Sequence, residues 1–231
     1  MKGTDLSEAA IDQMFSRVHQ DHLIVESQIG WLSSYCSYGD PLFDKLDGSY
    51  SGWAVAIAHI SVVQSVIMFL NRSIDNNGDS LTRLIKVLSV NDNVIRQRLS
   101  RLYLERHGKQ VEFASTVSIW EYLQSCLDKV KNDPSMKSFQ VFRNAWIGHR
   151  LSREVYSKKF NEQNLEKHRA SSEDAVRLAR DLLHISHQAA FNWNLAKWEI
   201  EGRVDKAAEN CTMFWELLPK LKKTEVLPPE K

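Results

Sequence analysis

Residues 53–70 read WAVAIAHISVVQSVIMFL, eighteen positions without one Asp, Glu, Lys or Arg. The run is long enough for a membrane span, but His59, Ser61, Gln64 and Ser65 are costly in hydrocarbon, so no membrane association is expected. The reading is a helix of the protein core, spanning about 51–75 and sitting centrally. Around it the chain has nine Gly and five Pro in 231 residues, with long stretches holding neither. So few turn formers favour long helices over many short strands. The fold expected is all-α: a single domain over 1–231, an elongated bundle of about six to eight helices.

Working outward, residues 6–36 place Ile11, Met14, Phe15, Val18, Leu23, Ile24 and Ile29 at roughly helical spacing. Gly39-Asp40-Pro41 is expected to break that helix and open a loop over 39–51. Asn76-Asn77-Gly78-Asp79 is a turn signal, with Asp79 or Ser80 as cap for a short helix at 80–90. Asp92 or Asn93 opens another to about 107, and Gly108 is placed as its stop. A helix over 114–131 follows. Asp133-Pro134 is a strong start signal for the next, 134–150. Residues 151–170 are polar and basic, with little periodicity. Ser171 or Ser172, followed by Glu173 and Asp174, begins a long helix over 172–201 that is expected to end at Gly202. A last helix over 203–218 and a tail over 219–231 complete the chain.

The net charge of +1 conceals an uneven distribution. Residues 1–50 carry net −5, residues 94–109 net +4 through Arg96, Arg98, Arg101, Arg106 and Lys109, and residues 143–169 net +4. Two basic regions would draw a polyanion, although charge runs are commonly solvated helix faces. Cys36, Cys126 and Cys211 are odd in number and lack paired-ligand spacing, the pattern of reduced thiols and not of a zinc site or disulfide framework. Asp5, Glu8 and Asp12 interrupt the N-terminus before any apolar run, so the expectation is a cytoplasmic chain without a signal peptide. There is no Gly-rich phosphate loop, nucleophile-elbow, kinase or dinucleotide pattern, and neither a cofactor nor a metal is expected.

Chemistry concentrates in residues 142–150, FRNAWIGHR. An imidazole can take the proton of a ribose 2′-hydroxyl, a guanidinium can hold the scissile phosphate, and an amide can fix either. RNA can be cut with those parts and no metal. Residues six apart on an ideal helix lie about 120° apart, so Arg143 and His149 do not share a face by spacing alone. Gly148 can loosen the helix before His149; alternatively the two groups meet across a dimer.

A helical core with a late Arg-Asn element followed by His, Arg143-Asn144 with five residues before His149, resembles the HEPN superfamily. Residues 69–75, FLNRSID, followed by Ser80-Leu81 and Leu84-Ile85, look like its abortive-infection U-type branch, where Arg-x-x-Asp at a helix end precedes a short Ser-Leu helix. The resemblance covers about residues 50–200. It implies a metal-independent endoribonuclease, a toxin or phage-defence effector that dimerises and pairs two motifs across the interface. His149 would act as general base or acid, Arg143 would bind the phosphate and Asn144 would orient them, leaving a 2′,3′-cyclic phosphate. Arg150, Arg153 and Arg96 are the expected further RNA contacts, and Arg72, Asp75 and Trp146 the supporting residues. The alternative is a non-catalytic HEPN-like module that binds RNA or a nucleotide, or docks a partner such as an antitoxin on the acidic N-terminal third.

Other candidates read more simply as structure. Arg72 and Asp75, three apart at a helix end, would pair with each other or cap the next helix. Asp181, His184 and His187 drift around their helix and do not converge on a metal. His59 reads as a core histidine. Trp146, Trp193 and Trp198 can stack on bases, yet at helical spacing they read as core.

Overall fold

The computed structural model describes residues 6–46, 50–144, 170–195 and 200–221. Among them are eight helices and no strand: α1 (Glu8–Leu46), α2 (Tyr50–Ile74), α3 (Leu81–Val90), α4 (Asp92–His107), α5 (Val117–Asn132), α6 (Pro134–Phe142), α7 (Ser172–Asn194) and α8 (Ile200–Leu221). The all-α bundle expected from composition is what the chain forms.

Helix α1 buries Ile11, Phe15, Val18, Val25, Ile29 and Leu32, one stripe at three- and four-residue spacing. It packs most extensively on α8 and also lies against α2 and α7. The α1–α8 crossing is close because Gly30 has no side chain there. A Cβ at Gly30 would lie 2.5 Å from Ala207 Cβ and 2.8 Å from the Ala208 nitrogen. One turn further on, the Ser34 and Thr212 hydroxyls share a hydrogen bond of 3.0 Å. Helix α7 is the interior strut, with Leu178, Leu182, Leu183, Ala189, Ala190 and Trp193 all buried.

Most boundaries follow local chemistry. Ser80 Oγ accepts from the Arg83 N–H at 3.1 Å and caps α3. Asp133 caps α6 with Pro134 next in line. Ser171 and Asp174 cap α7 reciprocally, and Gly108 closes α4 at φ 64°.

Three expectations fail. Gly39-Asp40-Pro41 does not end the first helix, which runs on to Leu46. Proline removes one N–H and so leaves only the Ser37 carbonyl without its helical donor, and the turns on either side carry the helix across. Nor does the long C-terminal helix reach Gly202. It stops at Asn194, Leu195 takes a left-handed conformation at φ 53°, and Gly202 lies inside α8. The reason is tertiary: Arg98 donates to the Trp193 carbonyl at 3.2 Å, and Arg106 to those of Asn194 and Leu195 at 3.1 and 2.9 Å. Guanidinium groups thus satisfy the free carbonyls of the helix C-terminus and favour its dipole.

The third concerns α2. Its C-terminal half is core, with Val66, Ile67, Phe69, Leu70 and Ile74 buried. Its N-terminal half is not: Trp53, Ile57 and Ile60 are 69%, 61% and 54% exposed. By length and composition Gly52–Ile74 could cross a membrane, and only 28% of its most apolar window is buried.

Candidate functional site

Helix α6 carries the first half of the Arg-Asn-His element. Its start is pinned by the Asp133 carboxylate, which accepts the Ser135 N–H at 2.9 Å and an Arg177 N–H at 3.0 Å. Arg177 also reaches Asp174 at 3.1 Å, tying α6 to the start of α7. Burial works against the Asp133 carboxylate, but the bonds from Arg177 and the Ser135 amide outweigh it and hold its carboxyl below the usual range. On its inner side α6 buries Met136 and Phe139, and the Phe139 carbonyl accepts from Asn71 of α2 at 3.5 Å.

Past Phe142 the helix widens through Arg143 and Asn144. The Arg143 N–H still bonds the carbonyls of Phe139 and Gln140. Its guanidinium closes on its neighbour: Nε and Nη2 donate to Asn144 Oδ1 at 3.1 and 2.9 Å. The amide oxygen therefore fixes the plane of the guanidinium and leaves its remaining N–H groups for an anion. Among the described residues no carboxylate pairs with Arg143. Beside this clasp lies a pocket of about 130 Å³, lined by Val63 and Ile67 of α2, Ser138, Phe139 and Phe142 of α6, and Ala170, Ser171, Ser172 and Ala175 at the start of α7. Phe142, the residue before Arg143, is the pocket's link to the clasp. His149 lies outside the described residues, as do Trp146, Arg150, Arg153 and Trp198.

The second basic region is organised differently. Arg96 pairs with Asp92 at 3.1 Å and bonds Asn93 at 2.8 Å. Arg98 is 12% exposed and is held by Glu8, by Asp12 at 3.0 Å and by the Asn194 amide oxygen at 2.6 Å, its guanidinium 4.4 Å over the Trp193 ring. Arg101 pairs with Glu8 and Arg106 caps α7. Burial disfavours the Glu8 carboxylate, yet Arg101 and Arg98 together hold its carboxyl below the usual range. The basic run therefore serves the fold, and its positive charge meets the acidic start of α1. Arg96 is thus held by neighbours on its own helix, Asp92 and Asn93. Of the run, Lys109 is exposed without an ion-pair partner among the described residues.

Arg72 and Asp75 do not pair with each other. Arg72 reaches Asp21 of α1, while Asp75 accepts the Asn77 N–H at 3.1 Å and Ser80 donates to the Asp75 carbonyl at 2.6 Å. Both act structurally, at the α1–α2 contact and in the turn to α3. Trp193 is core beneath Arg98, its Nε1 donating to Asp12 at 2.8 Å. His59 stacks on Tyr35 at 3.8 Å between ring centroids. No metal-holding group of His, Cys, Asp or Glu occurs among the described residues.

One group escaped the sequence reading. His22 is buried on α1, its Nδ1 2.8 Å from Ser186 Oγ and its ring edge-on to Phe69 at 5.4 Å. Burial pushes its pKa down to about 3, keeping the imidazole neutral. Its spacing from Val18, Val25 and Ile29 on the apolar face of α1 is the signal that betrays it. One turn on, Glu26 is also buried; burial pushes its carboxyl up, against an Arg203 guanidinium 3.7 Å away.

Comparison with models of known families, with curated proteins and with solved structures returns no match.

Proposed function

We propose that the chain is a metal-independent endoribonuclease of the HEPN type, a cytoplasmic toxin or phage-defence effector that cuts host or phage RNA as a homodimer. The observation that carries this reading is the Arg143–Asn144 clasp, with the guanidinium oriented by an amide oxygen at 2.9 and 3.1 Å and unpaired with any described carboxylate, beside a pocket. A planar fork held in that way suits the non-bridging oxygens of a phosphodiester. In this reading His149 takes the 2′-hydroxyl proton. The freed oxygen attacks the adjacent phosphorus, the bond to the 5′ oxygen breaks, and that oxygen receives a proton. Arg143 stabilises the charge that develops on phosphorus oxygens. The products are a 2′,3′-cyclic phosphate and a 5′-hydroxyl, with no metal or cofactor consumed. Arg150 and Arg153 supply further phosphate contacts.

Induction of the wild-type chain against His149→Ala and Arg143→Ala chains tests it, with total RNA resolved on a gel. Growth arrest with discrete new fragments is expected from wild type alone. Identical behaviour of all three chains would sink the catalytic reading. Asn144→Ala is expected to retain reduced cleavage, because it positions a group that remains.

The second reading is a non-catalytic module that docks a partner protein, such as an antitoxin, and the exposed apolar stripe of α2 favours it. Stoichiometric binding to a protein with no affinity for RNA would select this reading; salt-sensitive RNA binding without cleavage would select a silent RNA-binding module.

A further inference from the structure

The pocket beside the Arg143–Asn144 clasp has the size and the walls for one flat ring. Its volume of about 130 Å³ is close to the roughly 150 Å³ of an apolar protein cavity that takes up a single benzene. Val63 and Ile67 of α2, Phe139 and Phe142 of α6 and Ala175 of α7 give it apolar and aromatic sides, and serine hydroxyls give it a polar edge. Ser171 is committed to Asp174, accepting its N–H and donating to its carboxylate. Ser138 only donates, to the Pro134 carbonyl at 3.3 Å, and keeps its lone pairs. Ser172 is the first residue of α7, so its N–H has no helical acceptor, and its hydroxyl has no partner among the described residues. The carboxylates at the starts of α6 and α7, Asp133 and Asp174, are matched by Arg177 at 3.0 and 3.1 Å.

We infer that this pocket takes a pyrimidine base of single-stranded RNA, the base of the nucleotide whose 3′-phosphate lies on Arg143. Single-stranded RNA is read through bases splayed onto aromatic side chains and hydrogen-bonded at their edges. Phe142 and Arg143 are consecutive, about 3.8 Å apart between Cα atoms, so the aromatic wall and the phosphate fork are as close in the chain as a base and its phosphate are in one nucleotide. A purine brings a second ring to a space filled by one, and the excess has to displace packed side chains such as Ile67 and Phe139, both buried. Hydroxyls turn to meet either a donor or an acceptor, so cytosine and uracil are accepted alike. Holding this base also fixes the ribose that carries the attacking 2′-hydroxyl, the positioning that an in-line displacement needs. The inference rests on the ribonuclease reading for the phosphodiester at Arg143; the fit of one ring to the pocket is independent of it.

The test is calorimetric titration of the full chain with the 3′-monophosphates of cytidine, uridine, adenosine and guanosine, which needs no cleavage. The two pyrimidine nucleotides are expected to bind roughly tenfold more tightly than the two purine nucleotides. Val63→Ala widens the pocket at a partly buried position and is expected to admit purines, bringing that ratio down to about two. Ser172→Ala is expected to weaken the pyrimidine nucleotides about fivefold, and Arg143→Ala to weaken all four, each with unchanged helix content. Equal affinity for the four nucleotides overturns the inference, as does a purine preference. So does the absence of binding up to about 1 mM, or a pyrimidine preference that survives in both Val63→Ala and Ser172→Ala. Cleavage is read separately. A chain that cuts RNA after every base alike keeps the ribonuclease and loses the pocket; one that binds pyrimidine nucleotides and cuts nothing keeps the pocket and loses the ribonuclease.

Discussion

Where the start of α1 meets α4 and the end of α7, charge is dense and matched: Glu8 and Asp12 against Arg98 and Arg101, with Arg106 on the last carbonyls of α7. Along the N-terminal half of α2 there is no charge, and Trp53, Ile57 and Ile60 face outward. The first region is closed to partners although it is polar, and the second is open although it is apolar. Composition does not decide which surface is available. What decides it is whether the rest of the chain already supplies the complement. A guanidinium with several internal acceptors has little left for a phosphate, whereas an apolar ridge without a neighbour keeps its whole transfer free energy in hand.

The largest test of that contrast is Arg98→Ala. It strips Glu8, Asp12, Asn194 and the Trp193 carbonyl of a shared donor. Chemical denaturation is expected to show a loss of about 3 kcal/mol, as for other ion pairs broken on one side in a mostly buried setting. A loss below about 1 kcal/mol would place the cluster among ordinary surface pairs.

Acid reaches the closed side through His22. Its folded pKa of about 3 lies below the 6.5 of an unperturbed imidazole. The unfolded chain therefore binds the extra proton first. The contribution is fully present above pH 6.5 and is lost as pH falls toward 3, at about 1.4 kcal/mol per pH unit. In His22→Gln the stability–pH curve between those limits should flatten by one proton; an unchanged slope would mean that the ring is reached by water.

Gly30→Ala probes the α1–α8 contact between the two regions. Alanine favours a helix by up to about 1 kcal/mol over glycine. Here the new Cβ would meet the Ala207 Cβ at 2.5 Å and backbone atoms at 2.8 and 2.9 Å. Overpacking against backbone costs about 3 kcal/mol, so a net loss of about 2 kcal/mol in stability is expected. A stabilised variant would show that the helices part easily. Smallest of all should be Arg96→Ala. With its cation already held by Asp92 and Asn93, the salt dependence of any RNA binding should be unchanged and stability should move by less than about 0.5 kcal/mol. A salt slope reduced by about one would return α4 to the RNA-binding face.

Much of the fold is legible because helix ends obey short-range chemistry: Ser80, Gly108, Asp133-Pro134 and Ser171 each act within four residues of themselves. The stop at Asn194 is not legible, since arginines some ninety positions away decide it. Hydropathy shows that α2 is apolar all round but not which neighbours cover it, so a core helix was expected where half of it lies open. The same division holds at the site. The Arg143–Asn144 contact is between adjacent residues and is readable. So is the Asp92–Arg96 pairing, four apart on one helix. The partners of Arg98 lie in α1 and α7 and leave no local trace.

The Gly30 crossing has a consequence for the newly made chain. Glycine at that point leaves α1 with a bare strip that only Ala207 and Ala208 fill, and those residues are synthesised some 180 positions later. At roughly 5–20 residues per second, α1 waits on the order of 10–40 s for its main neighbour. Through that interval the face of α1 that α8 covers is open to anything nearby. Synthesis of Ala207 and Ala208, and not emergence of the first helix, is the event that lets this crossing close.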